Sequence, residues 1–234
     1  MTAIDAADRA VLDVVFWAAL SGPQRALSAG TESARRYAPG FSPIIAFADT
    51  TTPDFSALVP FCAPGERFYC DAWSGEPPDG WQLHVDSRMV RMVWSGERAA
   101  DAPALPEARA LGPADAQQAL DLALLTNPGP FGLRTIELGH YIGVFDDGRL
   151  VAMAGERMHA GRCREVSGIC THPDFQGRGL ATRLTAQVLR MQLARGQLPF
   201  LHVVSANIVA RRLYARMGFD EYRETVVRVV SRAA

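Results

Sequence analysis

The stretch from Glu165 to Thr182, EVSGICTHPDFQGRGLAT, constrains the fold more than any other part of the chain. It begins as an apolar strand-like run and passes through a His-Pro-Asp turn. It then enters a helix, whose apolar face is marked by Leu180, Leu184, Val188 and Met191. A strand that turns on glycine directly into a helix points to an α/β architecture. Gly177 and Gly179 carry no Cβ, so ligand oxygens can approach N–H groups that the first helical turn leaves unpaired, and the helix dipole favours negative charge there. The turn is a phosphate-binding candidate, with Arg178 and Arg183 as nearby cations. Two other phosphate motifs fail on spacing: Thr182 stands where a dinucleotide fingerprint needs Gly or Ala, and no GxxxxGK[ST] is present.

The segments around this core extend the pattern. A helix is expected at Asp115–Leu125 after a Gly-Pro start, followed by a loop over Thr126–Gly139. Strands at His140–Phe145 and Leu150–Met158 flank Asp146, Asp147 and Gly148, a hairpin signal. A strand at Pro199–Val204, a helix over Ala206–Met217 stopped by Gly218, and closing strand structure from Phe219 to Val230 complete one mixed sheet covered by helices. Upstream, Val11–Ala18 reads as helix and Pro43–Ala48, Glu66–Ala72 and His84–Trp94 as strands. Apolar periodicity stops in the Ala-, Pro- and charge-rich run near residue 100. This divides the chain into a smaller α/β companion domain (1–95), a linker (96–106) and a main α/β domain (107–234).

Bulk properties exclude several classes. With 48% hydrophobic and 21% charged residues among 234, the chain can bury a sizeable core. A net charge of −1 with scattered arginines gives no nucleic-acid footprint. The longest apolar run, near Val11–Leu20, is too short for a bilayer, and the acidic N-terminus lacks the build of a secretory signal, so no membrane partner and a cytoplasmic location are expected. Cys62, Cys70, Cys163 and Cys170 show no CxxC spacing, and the five histidines form no HxxxH pair, so neither disulfides nor a metal is implied. GxSxG, the hydrolase elbow, is absent.

Gln176-Gly177-Arg178-Gly179-Leu180-Ala181 has the form Q/R-x-x-G-x-G/A and resembles the GNAT superfamily of N-acetyltransferases. His172-Pro173-Asp174-Phe175 precedes it as in many members, and Asn207 with Arg212–Phe219 (RLYARMGF) looks like the family's second signature. The likeness covers roughly Ala108–Val230, and the phrasing EVSGICTHPDFQGRGLA and PFLHVVSAN is similar to the glycine N-acyltransferase-like branch. By that analogy the first half is a degenerate companion domain. The resemblance implies acetyl-CoA as acyl donor. The backbone around Ile169, Cys170 and Thr171 would hold the pantetheine arm, Gln176–Ala181 the pyrophosphate, and Asn207 would add to the cofactor site.

An acceptor amine with a pKa of about 10.4 is only about one part in a thousand neutral at pH 7, so its proton must be removed. Glu165, where several family members place a carboxylate base, is the first candidate and Glu156 the rival. Tyr214 occupies the family position of the acid that protonates the departing thiolate, and lies on one helix face with Asn207. Alternation puts Cys170 on the face opposite Glu165 unless a bulge intervenes, which favours direct transfer over an acyl-cysteine. The expected activity is transfer of an acetyl or short acyl group to the amine of a small molecule. A protein N-acetyltransferase and a non-catalytic acyl-CoA-binding module are the alternatives, and a homodimer is compatible with all three.

Overall fold

The computed structural model describes residues 4–96 and 102–233; residues 97–101 of the expected linker lie outside the described residues. Two short helices open the chain, α1 (Ala6–Asp13) and α2 (Val15–Ser21). The single helix expected around Val11–Ala18 is broken at Val14 (φ −128°, ψ 35°), and the break lets Leu12, Val15, Phe16, Ala19 and Leu20 all bury. Three short strands follow, β1 (Ser28–Gly30), β2 (Ala34–Tyr37) and β3 (Ile45–Phe47), forming a small antiparallel sheet. The sequence reading missed the first two, because β2 contains Arg35 and Arg36. Both arginines are buried, and Arg36 is held by Glu66 at 2.6 Å over the Phe68 ring.

The main sheet contains β4 (Arg67–Asp71), β5 (Trp81–Trp94), β6 (Arg109–Ala110), β7 (Ile142–Asp146), β8 (Arg149–Ala160), β9 (Cys163–Thr171), β10 (Leu198–Val204) and β11 (Phe219–Arg232). Helices α3 (Ala116–Thr126), α4 (Leu180–Ala194) and α5 (Ile208–Arg216) accompany it. The strand order is β4-β11-β5-β10-β9-β8-β7-β6. β5 therefore lies between β10 and β11 and pairs with both, so the segments before and after the linker share one sheet. Along β5 the side chains alternate: Val90, Met92 and Trp94 join the core under α4 and α5, while Met89 and Val93 join the core under α1 and α2. At the β7–β8 hairpin, Asp147 and Gly148 take φ of 44° and 77°, as a two-residue primed turn requires.

Two departures from regular pairing shape the centre of the sheet. β9 and β10 run parallel on either side of α4, but their register covers only Cys163↔Leu198, Arg164↔Pro199 and Glu165↔Phe200. Past Glu165 and Phe200 the pairing of the two strands ends, opening the edge of β9 towards its C-terminal end. β9 also carries one extra residue opposite β8, since Gly155 faces Ser167 while Met153 faces Cys170, and Gly168 sits in the bulge with φ +62°. Any side chain at 168 would be strained, and a Cβ there would stand 2.8 Å from the Tyr141 ring.

Candidate active site

A cleft of about 500 Å³ opens where β9, α4 and α5 meet. The turn after β9 supplies its floor: His172 accepts the Asp174 N–H, and Gly177 and Gly179 adopt φ of 75° and 74° before α4 begins. Only glycine takes this conformation cheaply, and a Cβ at either position meets nothing within 4 Å. The space above the turn is open to a ligand, and the amide donors of the first turn of α4 face it unpaired. The resident groups thus fit a diphosphate.

Of the residues expected at the cofactor, Ile169, Cys170, Thr171, Gln176, Gly177, Gly179, Leu180, Ala181 and Asn207 all line this cleft, and so does Tyr214. Arg178 does not; its guanidinium lies 4.5 Å over the Phe175 ring and donates to the Asp174 carbonyl. Arg183 likewise turns away, donating to the carbonyls of Pro103 and Ala104. The positive end of the helix and the amides, rather than these side chains, supply the attraction for an anion. Asn207 is the N-cap of α5, its Oδ1 accepting the Ala210 N–H at 3.1 Å. That bond places Tyr214 two turns further along, packed edge-on against Phe219, and burial pushes the phenol up to about 12. Tyr214 is consequently protonated at neutral pH and able to donate.

The bulge at Gly168 alters the face expected of Cys170. Ile169 packs with the α4 core, whereas Cys170 joins Tyr141 and Met153 in the core under α3, on the side of the sheet that also holds Glu165. A sulfur nucleophile is nevertheless unsupported, because burial pushes the Cys170 thiol up to about 12 and leaves almost no thiolate. An isolated glycine inside the strand-like run EVSGICT was the available signal for this bulge.

Glu165 is not among the cleft's lining groups. It is buried at 1% exposure, and its carboxylate receives Arg157 through Nε and Nη2 at 2.9 and 2.7 Å, the Met158 N–H at 3.2 Å and His202 at 2.8 Å. Although burial alone would raise its pKa, the Arg157 guanidinium and these hydrogen bonds hold it well below the usual carboxylate range. A carboxylate this strongly committed is a poor proton acceptor, and it lies outside the cleft that Tyr214 lines. Glu156, the rival, is also buried, taken up by Arg195 and the His140 N–H. Cleft residues to which the sequence reading gave no site role are Thr126, Asn127 and Pro128 from the end of α3 and Ala210 from α5, while Phe175 and Leu213, known from the two family motifs, also line it.

The crystal structure of a protein from Novosphingobium aromaticivorans, assigned to the GNAT family of acetyltransferases, superposes with a TM-score of 0.83 at 34% identity. The match covers 95% of this chain and 99% of that one. The chain belongs to the GNAT family. The family model for FR47-like proteins matches residues 141–229, the span from β7 through most of β11. The N-alpha-acetyltransferase RimI of Mycobacterium tuberculosis is 38% identical over 85 residues, 35% of this chain, and this chain spans about half (52%) of that relative's length. A GNAT protein from Kribbella flavida shares the fold at 15% identity and a TM-score of 0.62 over 99% of this chain. GNAT proteins are acetyltransferases, so the general activity of this chain is acyl transfer. Among the described residues no His, Cys, Asp and Glu group is arranged to hold a metal, and no helix is long and apolar enough to cross a membrane.

Proposed function

We propose that the protein is an N-acetyltransferase that moves an acetyl or short acyl group from acetyl-CoA to the primary amine of a small molecule by direct attack. The observation that carries this reading is the shared cleft: the glycine turn at α4, the free edge of β9 beyond Glu165 and Tyr214 line one cavity. Each part has a matching role. The turn offers only donors, as a diphosphate needs, while the strand edge offers alternating N–H and C=O groups to an extended amide-bearing arm. Tyr214 donates its proton to the departing thiolate as the thioester C–S bond breaks and the amide bond forms, and regains a proton from solvent. The amine's proton passes to water, because Glu165 and Glu156 are both engaged by arginines. The likeness to an N-alpha-acetyltransferase favours a second reading, in which the acceptor amine is the α-amine of a polypeptide.

A screen of amino acids, polyamines and short peptides with acetyl-CoA, followed by free-thiol detection and mass analysis, tests the reading. Thiol release matched mole for mole by an acetylated amine supports it. Binding of acetyl-CoA without thiol release for every amine tried would instead indicate a non-catalytic acyl-CoA-binding module.

A further inference from the structure

The Glu165 carboxylate belongs to a buried polar strip that crosses the sheet on the side covered by α2. Asp71 of β4 pairs with Arg91 of β5 at 2.9 Å, and the Arg91 Nε donates to Nε2 of His202 on β10 at 2.9 Å. Nδ1 of His202 lies 2.8 Å from Glu165 on β9, which pairs with Arg157 of β8 at 2.7 Å. All five side chains are nearly or fully buried, with exposures from 0% to 8%. An arginine Nε–H can only donate, so Nε2 of His202 must accept, and the ring proton sits on Nδ1 and is donated to Glu165. Two cations and two anions balance around a neutral imidazole, clamped edge-on by Phe16 and Phe200 at 5.5 and 5.6 Å.

The position of this contact matters as much as its chemistry. Backbone pairing between β9 and β10 ends at Glu165↔Phe200, and His202 is two residues further along β10, beyond that point. The His202–Glu165 bond therefore spans the apex of the opening into which the cofactor arm would run. Buried ionic strips often stabilise a fold no more than apolar packing of the same volume would, whereas in some proteins they fix register. We propose that His202 is a positioning residue for acyl transfer, its hydrogen bond to Glu165 bolting β10 to β9 and so setting the width of the cofactor cleft. The proposal rests on the acetyl-CoA reading above.

Two measurements test it. The ¹⁵N spectrum of the histidine rings should show His202 neutral and protonated on Nδ1 at pH 7; an Nε2–H ring would overturn the bolt without any variant. Calorimetric titration with acetyl-CoA at 10 °C should then separate His202→Gln from His202→Leu, with circular dichroism confirming that each is folded. The Gln amide can still donate to Glu165 and accept from Arg91, and should keep affinity within about threefold of the native protein; Leu does neither and should weaken it about tenfold or more. Packing alone would lower the melting temperature of the Leu variant and leave its affinity untouched. Native-like affinity in folded His202→Leu, or equal loss in both variants, overturns the proposal. Should the Leu variant fail to fold, the ring spectrum and the affinity of His202→Gln still decide it. Failure of the native protein to bind acetyl-CoA sinks the functional reading instead.

Discussion

Tyr214, partly buried, and His202, its side chain almost wholly buried, both have shifted acidities, yet their consequences differ. The Tyr214 phenol, pushed up to about 12, stays protonated across the working range of most assays, so proton donation to the thiolate should not fail on the alkaline side below pH 10. Tyr214→Phe should lower kcat by about tenfold to a hundredfold with little change in acetyl-CoA affinity, because the hydroxyl matters most when charge develops on sulfur. Steady-state kinetics with any active amine check this, and unchanged kcat would make Tyr214 a packing residue. His202 acts through stability. Burial, with the Arg91 charge also opposing protonation, pushes it down to about 4, against roughly 6.5 in the unfolded chain. Between those values the unfolded chain binds more protons, so stability should fall as pH drops from about 6.5 towards 4, by up to about 1.4 kcal/mol per pH unit for this residue. His159, also pushed down to about 4 by burial, adds to the slope. Glu165 does not contribute in this window, since its folded pKa lies below the carboxylate range and its stabilisation is lost only in stronger acid. Urea unfolding of the native protein and His202→Gln from pH 7 to 4.5 should show a shallower slope in the variant; equal slopes would mean that His202 does not stay neutral.

At the level of elements, local pattern was enough wherever an element makes its own case. The Asp-Asp-Gly turn, the glycine start of α4 and the Asn207 cap each combine a short-range chemical signal with a clear hydrophobic period, and the strands and helices they bound fall within a few residues of expectation. Where tertiary contacts decide, the pattern was silent. The buried arginines of β2 read as surface until Glu66 and Phe68 are seen against Arg36, and Ser28 and the Thr31 carbonyl against Arg35. Glu165 reads as a strand-end acid until Arg157 and His202, neighbours only across strands, occupy its oxygens. The bulge at Gly168 lay between these cases. A glycine in a strand hints at it, but only the β8 register shows that it reverses the face of Cys170.

For the molecule as a whole, the placement of β5 has the largest consequence. It fills the position between β10 and β11, and its two rows of side chains serve both cores. The segment from residue 107 alone would leave β10 paired with β9 but not with β5, and β11 with neither of its neighbours, β4 and β5. A fragment of residues 107–234 should therefore lack near-ultraviolet dichroism and a cooperative melt, while the full chain unfolds in one transition; a cooperatively folded fragment would show that the two segments are separable. The central claim, that acyl-CoA is held at the glycine turn of a GNAT cleft, is tested most directly by calorimetric titration of acetyl-CoA into the native protein and into Gly179→Val. Valine at φ +74° is strained and projects its branch into the open space above the turn. The account predicts one site per native chain and an affinity at least about tenfold weaker in the folded variant. Equal affinity in folded Gly179→Val, or no binding to the native chain, would contradict it.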